Sequence, residues 1–184
     1  MAIASGNHPI GPDNGKLTIH TYRAGMGAKA AHDLVLAATR WSGTADLDPA
    51  NPGACAVSVT VDPDSFEILE AKGGVKPLSD KDRGDIRKNA SEKVLQTQKH
   101  PEITFKSTAV QGEAPNLSII GDLTISGQTR PVTMKATVED NGNVAAAVNV
   151  KQTDFGLKPY SAMMGAIKMR DDVDIKVDLT LPTA

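Results

Sequence analysis

Residues 172–181 read Asp-Val-Asp-Ile-Lys-Val-Asp-Leu-Thr-Leu. Aliphatic side chains fall at every second position, Val173, Ile175, Val177, Leu179 and Leu181, against Asp172, Asp174, Lys176, Asp178 and Thr180. Successive residues of a β-strand point to opposite faces, so the stretch is a strand with one apolar and one solvated face. One-sided strands of this kind belong to antiparallel sheets.

Upstream, the same period recurs. Val144, Ala146, Val148 and Val150 answer Val132, Met134, Ala136 and Val138 across Asn141-Gly142, a strong hairpin signal. Leu117 to Ser126 forms another strand, turned by Gly127-Gln128, and Ile103, Phe105, Ser107 and Ala109 share one face of the strand before it. Nearer the N-terminus, Leu17, Ile19 and Thr21 alternate, and Leu34, Leu36 and Ala38 open a strand read as running through Trp41 to Asp46. The run Asp48-Pro49-Ala50-Asn51-Pro52-Gly53 is turn chemistry, after which Val57, Val59 and Val61 share a face. A short extended piece, Phe66 to Leu69, ends before Gly73-Gly74.

One region breaks the period. Over 79–98, Ile86, Ala90 and Val94 lie four apart with Leu95 beside them, Ser79 stands where a helix cap belongs, and His100-Pro101 stops the element. The expected architecture is all-β and antiparallel, with about eight strands and one helical insert. No strand–helix–strand rhythm appears, which argues against a parallel sheet. Periodicity leaves a two-sheet sandwich and a closed barrel both open, and a barrel of about eight strands has room for one small ligand. Residues 1–15, rich in Gly, Pro, Asn and Ser, read as a flexible arm, and 16–184 as a single domain.

Composition narrows the function. A net charge of −2 lacks the basic excess of a nucleic-acid binder, and 3% aromatic residues gives little for stacking bases. Cys55 is the single cysteine, so no intrachain disulfide can form, and in a Val-rich strand it reads as a small buried hydrophobe. The N-terminus has no basic segment followed by a long apolar one, from which a cytoplasmic location is expected. No apolar run is long enough to span a bilayer.

Candidate chemistry is sparse. His8, His20, His32 and His100 show no metal-ligand spacing, and Asp171, Asp172 and Asp174 lack the Gly and terminal Glu of a calcium loop. No metal or cofactor is expected. Gly25-Met26-Gly27 and Gly73-Gly74 lack the Gly-Lys-Ser/Thr of a phosphate loop. No nucleophile elbow is present, so the chain is expected not to be an enzyme. The weakest reading, an enzyme acting on a lipid, requires His32, Asp33 and Tyr160 to gather around one cavity. The segment Gln152–Ser161 mixes polar, aromatic, Gly and Pro residues and fits either a loop at a barrel mouth or a packed corner.

Two stretches resemble the YceI family of polyisoprenoid-binding-like proteins: His100-Pro101-Glu102-Ile103-Thr104-Phe105-Lys106-Ser107, and Gly121-Asp122-Leu123-Thr124-Ile125-Ser126-Gly127 with Pro131-Val132 shortly after. His32-Asp33-Leu34, Trp41-Ser42-Gly43 and Thr153-Asp154-Phe155-Gly156 fall where the family places similar residues, and the resemblance covers roughly Lys16 to Leu181. It implies a lipocalin-like barrel around an apolar tunnel, and non-catalytic carriage or sequestration of a polyisoprenoid, isoprenoid quinone or fatty-acid derivative, with a homodimer in many relatives. By strand parity, Leu34, Leu36, Val57, Val59, Phe105, Met134 and Met163 are expected to face the tunnel, with Tyr22, Arg23, Trp41 and Tyr160 at its mouth. The alternative is an interaction module whose filled barrel dimerises or recruits a protein.

Overall fold

The computed structural model describes residues 3–184. The first half of the chain forms β1 (Gly6–Ile10), β2 (Gly15–Thr21), β3 (Arg23–Ala24), β4 (His32–Ala38), β5 (Trp41–Leu47), β6 (Ala56–Val61) and β7 (Phe66–Gly73). A helix, α1 (Asp80–Asn89), continues as a wider turn over Ala90–Leu95. Then come β8 (Ile103–Glu113), β9 (Asn116–Ile125), β10 (Gln128–Val138), β11 (Asn143–Lys151), β12 (Ser161–Ala162), β13 (Ile167–Met169) and β14 (Asp172–Thr180).

Eleven strands make one curled antiparallel sheet in the order β1-β5-β6-β8-β9-β10-β11-β14-β2-β4-β7. A three-stranded sheet, β12-β13-β3, stands at one end. The all-β antiparallel class and the helical insert are as the alternation indicates, in a half-barrel whose edges are β1 and β7. The strand count exceeds eight for three local reasons. Gly6–Ile10 is not a loose arm but pairs with β5 along its whole length, Gly6 opposite Leu47 and Ile10 opposite Gly43. The stretch from Leu34 to Asp46 runs on in one direction but breaks at Thr39 and Arg40 into two strands, β4 paired with β7 and β5 with β6. Thr39 Oγ1 there donates to Ser65 O (2.9 Å), and Arg40 Nε donates to Asp62 Oδ2 (2.8 Å). The short pieces β3, β12 and β13 pair among themselves.

Two irregularities decide which side chains face inward. Between Ser107 and Ala109 the β8–β9 register shifts, so a bulge at Thr108 flips the parity. Phe105 and Val110 therefore both point inward, and Ala109, expected on the face of Phe105, does not. Gly121, opposite Ser107 and beneath the Phe105 ring, has no room for a side chain: a Cβ there would lie 2.6 Å from the ring and 2.5 Å from Lys106 O. A second shift, opposite Val35 and Leu36, leaves Leu69 unpaired in β7.

The helix forms where its cap and apolar spacing indicate. Asp82 N–H donates to Ser79 Oγ (3.1 Å) and Ser79 N–H donates to Asp82 Oδ2 (2.9 Å), a reciprocal cap. Three bonds fix it across the open end of the sheet. Arg83 Nη1 donates to Ile68 O on edge strand β7 (3.1 Å), Ser91 Oγ to Asp64 Oδ1 (2.8 Å), and Ser126 Oγ, in the β9–β10 turn, to Leu95 O (2.9 Å).

Candidate binding cavity

The inner face of the sheet encloses a cavity of about 770 Å³. Its wall is built by alternation: Leu17 and Ile19 from β2, Ile119 and Leu123 from β9, Val132 and Met134 from β10, Val148 from β11, and Ile175 and Val177 from β14. Ile86, Ala90 and Val94, the spaced apolar face of the helix, close one end. Buried residues gather in two clusters. One joins Ile10, Leu17, Ala38, Trp41, Ala45, Val61 and Leu181; the other joins Phe105, Leu123, Ile125, Val150, Phe155, Leu157 and Val173. Between them the aliphatic side chains Ile119, Val132, Met134, Val148 and Ile175 stay half-buried because they face the hollow.

Polar groups are confined to the ends. His32, Lys76, Asp82, Asp85 and Tyr160 lie at the helix end, and Asp48, Glu139 and Asp140 at the other. Cys55, expected as a buried strand residue, sits just before β6, half-buried on that second rim, where its Sγ accepts from Asp48 N–H (3.2 Å).

Six of the seven side chains expected to face a tunnel line this cavity: Leu34, Leu36, Val57, Val59, Phe105 and Met134. Met163 does not. It lies outside any regular strand, in a short turn with φ +51°, and is 72% exposed, so strand parity has no bearing on it. Of the four residues expected at the mouth, Tyr160 lines the cavity. Tyr22 follows Thr18 and His20 on the outer face of β2. Its hydroxyl donates to Asp174 Oδ2, and the Arg170 guanidinium lies over its ring, 5.3 Å from the centroid. Arg23 is tied back, its N–H donating to Asp33 Oδ1 (2.8 Å) and its Nη1 to Ala31 O (3.0 Å). Trp41 is buried at 6% exposure in the first cluster, where it fills the seam instead of edging an opening. Parity could have assigned Thr21, Tyr22's neighbour, to the inside, and the helix face Ile86–Ala90–Val94 was legible as apolar without a partner.

The segment Gln152–Ser161 is both a corner and a wall. Phe155 is 2% exposed in a short turn and lines the cavity, as do Leu157 and Tyr160. His32 and Tyr160 face the cavity, while the Asp33 carboxylate is engaged by Arg23, so the three do not converge. His32 Nε2 lies 3.0 Å from Lys76 O.

Asp82, at the helix end of the cavity, is held below the usual carboxylate range by its bonds with Ser79, and three further perturbed groups sit on the outer wall. The Tyr22 hydroxyl and the Asn149 amide hold the Asp174 carboxyl below the usual carboxylate range, and the same bond pushes the Tyr22 hydroxyl up to about 12. Burial, with the nearby Lys176, lowers the His20 imidazole. None of the three lines the cavity, whose long middle stretch is aliphatic.

The profile of the YceI-like domain matches residues 14–181. The chain belongs to the YceI-like family. Protein YceI of Escherichia coli is 32% identical over 127 residues, which is 64% of this chain and 60% of that protein. The match thus spans about three fifths of the length of the curated relatives. Among solved structures, BcnA of Burkholderia cenocepacia superposes with a TM-score of 0.70 at 20% identity, over 90% of this chain and 94% of that one. A polyisoprenoid binding domain from Saccharophagus degradans, implicated in plant cell wall breakdown, superposes with a TM-score of 0.60 at 9% identity, over 97% and 100%. At these identities the structures share the fold of the YceI-like chain.

Proposed function

We propose that this YceI-like protein binds a long-chain apolar molecule in its cavity, a polyisoprenoid, isoprenoid quinone or fatty-acid derivative, and carries or sequesters it without chemistry. The supporting observation is the hollow of about 770 Å³ with polar residues only at its ends. At about 30 Å³ for a water-sized group, it holds about twenty-five methylene-sized groups, the size of four or five isoprene units. Burial at about 0.8 kcal/mol per methylene gives such a chain about 16–20 kcal/mol, which exceeds an association cost of about 4–15 kcal/mol without any polar contact. A longer chain would extend past a rim. The hollow speaks against a filled barrel, and the separation of Asp33 from His32 and Tyr160 speaks against the lipid-enzyme reading.

The test combines native mass spectrometry with a blocking substitution. The purified protein is expected to carry, or to take up from added geranylgeraniol, one long-chain molecule. Leu36→Trp and Met134→Trp are expected to abolish uptake while the thermal midpoint and circular dichroism of the fold are kept. A protein that takes up no prenol, lipid or quinone at micromolar concentration would sink the proposal.

A further inference from the structure

The two ends of the cavity differ in charge. Away from the helix, the turns 11–14, 48–55, 113–116 and 139–143 carry Asp13, Asp48, Glu113, Glu139 and Asp140 and no Lys or Arg. At the helix end, residues 22–31 and 156–170 carry Arg23, Lys29, Lys158, Lys168 and Arg170 and no Asp or Glu. Arg23 and Arg170 are paired with Asp33 and Asp172, whereas Lys29, Lys158 and Lys168 have no ion-pair partner among the described residues. Of the flanking acids, Asp171 is bonded by Thr153, and Asp154 stands in the turn before the second segment. The helix itself does not offset the excess, since Asp80, Asp82 and Asp85 face Lys81, Arg83, Arg87 and Lys88 along its own length.

The same end projects the apolar side chains. Of five large hydrophobic residues left exposed among the described ones, four stand here: Met26 (98%), Val75 (81%), Met163 (72%) and Met164 (106%). The two methionine-bearing loops are clasped together, Gly27 N–H donating to Ala166 O (2.8 Å) and Lys168 pairing with Ala24. Gly25 makes the clasp possible: φ is +88°, and a Cβ would stand 2.6 Å from Ala166 O. Met163 and Met164 hold left-handed backbone, φ +51° and +53°, unfavourable for residues with a Cβ and not compensated by burial. Tyr160, just before β12, and Ile167 and Met169 of β13 line the cavity, so this tip borders its helix end.

We infer that this tip docks on an anionic lipid bilayer, with Met26, Met163 and Met164 entering the interface and Lys29, Lys158 and Lys168 on the headgroups. Flexible apolar side chains ringed by unpaired lysines match a surface that is apolar below and negative above. A second copy of the chain docked face to face would set like charges against each other. The acidic far end is turned away from the membrane in this orientation. The docking does not depend on what the cavity holds.

Flotation of the full chain with phosphatidylcholine vesicles, with and without phosphatidylglycerol, tests this. Binding is expected only with phosphatidylglycerol, and weaker at high salt. The triple change Lys29→Gln, Lys158→Gln, Lys168→Gln is expected to weaken it about a hundredfold, about fivefold per lysine. Met26→Ser with Met163→Ser and Met164→Ser is expected to weaken it at least about tenfold, from the lost apolar insertion. All six side chains are outside the buried core, so thermal midpoints should match the parent, and native mass spectra of the same preparations report the cavity's ligand separately. No flotation, equal binding to neutral vesicles, or variants that bind like the parent would overturn the inference. So would light scattering that shows a dimer abolished by the Met changes, because a second copy would then cover the tip.

Discussion

The wall β8-β9-β10-β11-β14 and the seam around Trp41 solve the same problem in opposite ways. In the wall, β8, β9, β10 and β11 are joined by hairpins; β9–β10 and β11–β14 pair almost end to end, from Asn143 opposite Thr180 to Lys151 opposite Asp172 in β11–β14, and β10–β11 pair over Lys135–Val138. Its inward side chains, such as Val148 and Ile175, are half-buried and face the cavity. At the seam, where the chain passes from β4 to β5, the ladder is interrupted and apolar packing fills the space: Trp41 clusters with Ile10, Leu17, Ala38, Ala45 and Val61. Gly15 lies close beneath the indole, where a Cβ would sit 3.2 Å from its edge. The wall keeps a hollow beside it with its ladders holding it; at the seam the ladder is interrupted and the space is filled.

That contrast can be broken most forcefully at Trp41. Trp41→Ala removes the ring that spans the seam and is expected to cost about 3–5 kcal/mol, read as a lowered urea midpoint. A loss below about 1 kcal/mol would show that the seam does not rest on the ring. On the wall, Val148→Ala is expected to cost about 1 kcal/mol or less, since the methyl groups it removes face empty space. Equal losses at Val148 and Trp41 would erase the distinction between the two regions.

The smallest effect concerns the outer face of the wall. Asp174 is held below the usual carboxylate range by Tyr22 and Asn149, so it contributes stability above that range, lost as pH falls through it. Tyr22, pushed up from 10.0 to about 12, contributes stability below 10.0 that is lost as pH rises toward 12. Tyr22→Phe is expected to flatten both limbs of the stability profile and to leave uptake by the cavity unchanged. Thermal midpoints measured across pH check the slopes, and an unaltered profile would show that the pair contributes nothing.

The same division governs what could be read without coordinates. Alternation made the wall legible from Asp172 to Thr180 and back to Leu117, and the Ser79 cap with Ile86, Ala90 and Val94 made the helix legible. The seam was not, because its determinants are distant in sequence. The break at Thr39–Arg40 has neither Gly nor Pro and is fixed by Ser65 and Asp62. Residues 6–10 have loop composition, and Pro9 is tolerated because β1 is an edge strand. Leu34, Leu36, Val57, Val59, Phe105 and Met134, put on one inner face by parity, line the cavity, while Ala109 is turned off that face where a bulge intervenes. Parity had nothing to say about Met163, which is not in a strand, and the aromatic or charged character of Tyr22, Arg23 and Trp41 was no guide to which face each occupies.

Cys55 gives the cavity a built-in observation post. As the chain's sole thiol, half-buried on the acidic rim, it can carry one environment-sensitive fluorophore without any engineered mutation. A dye anchored there would report on whatever enters the cavity beside it, so that the proposed binding could be timed on the unaltered sequence.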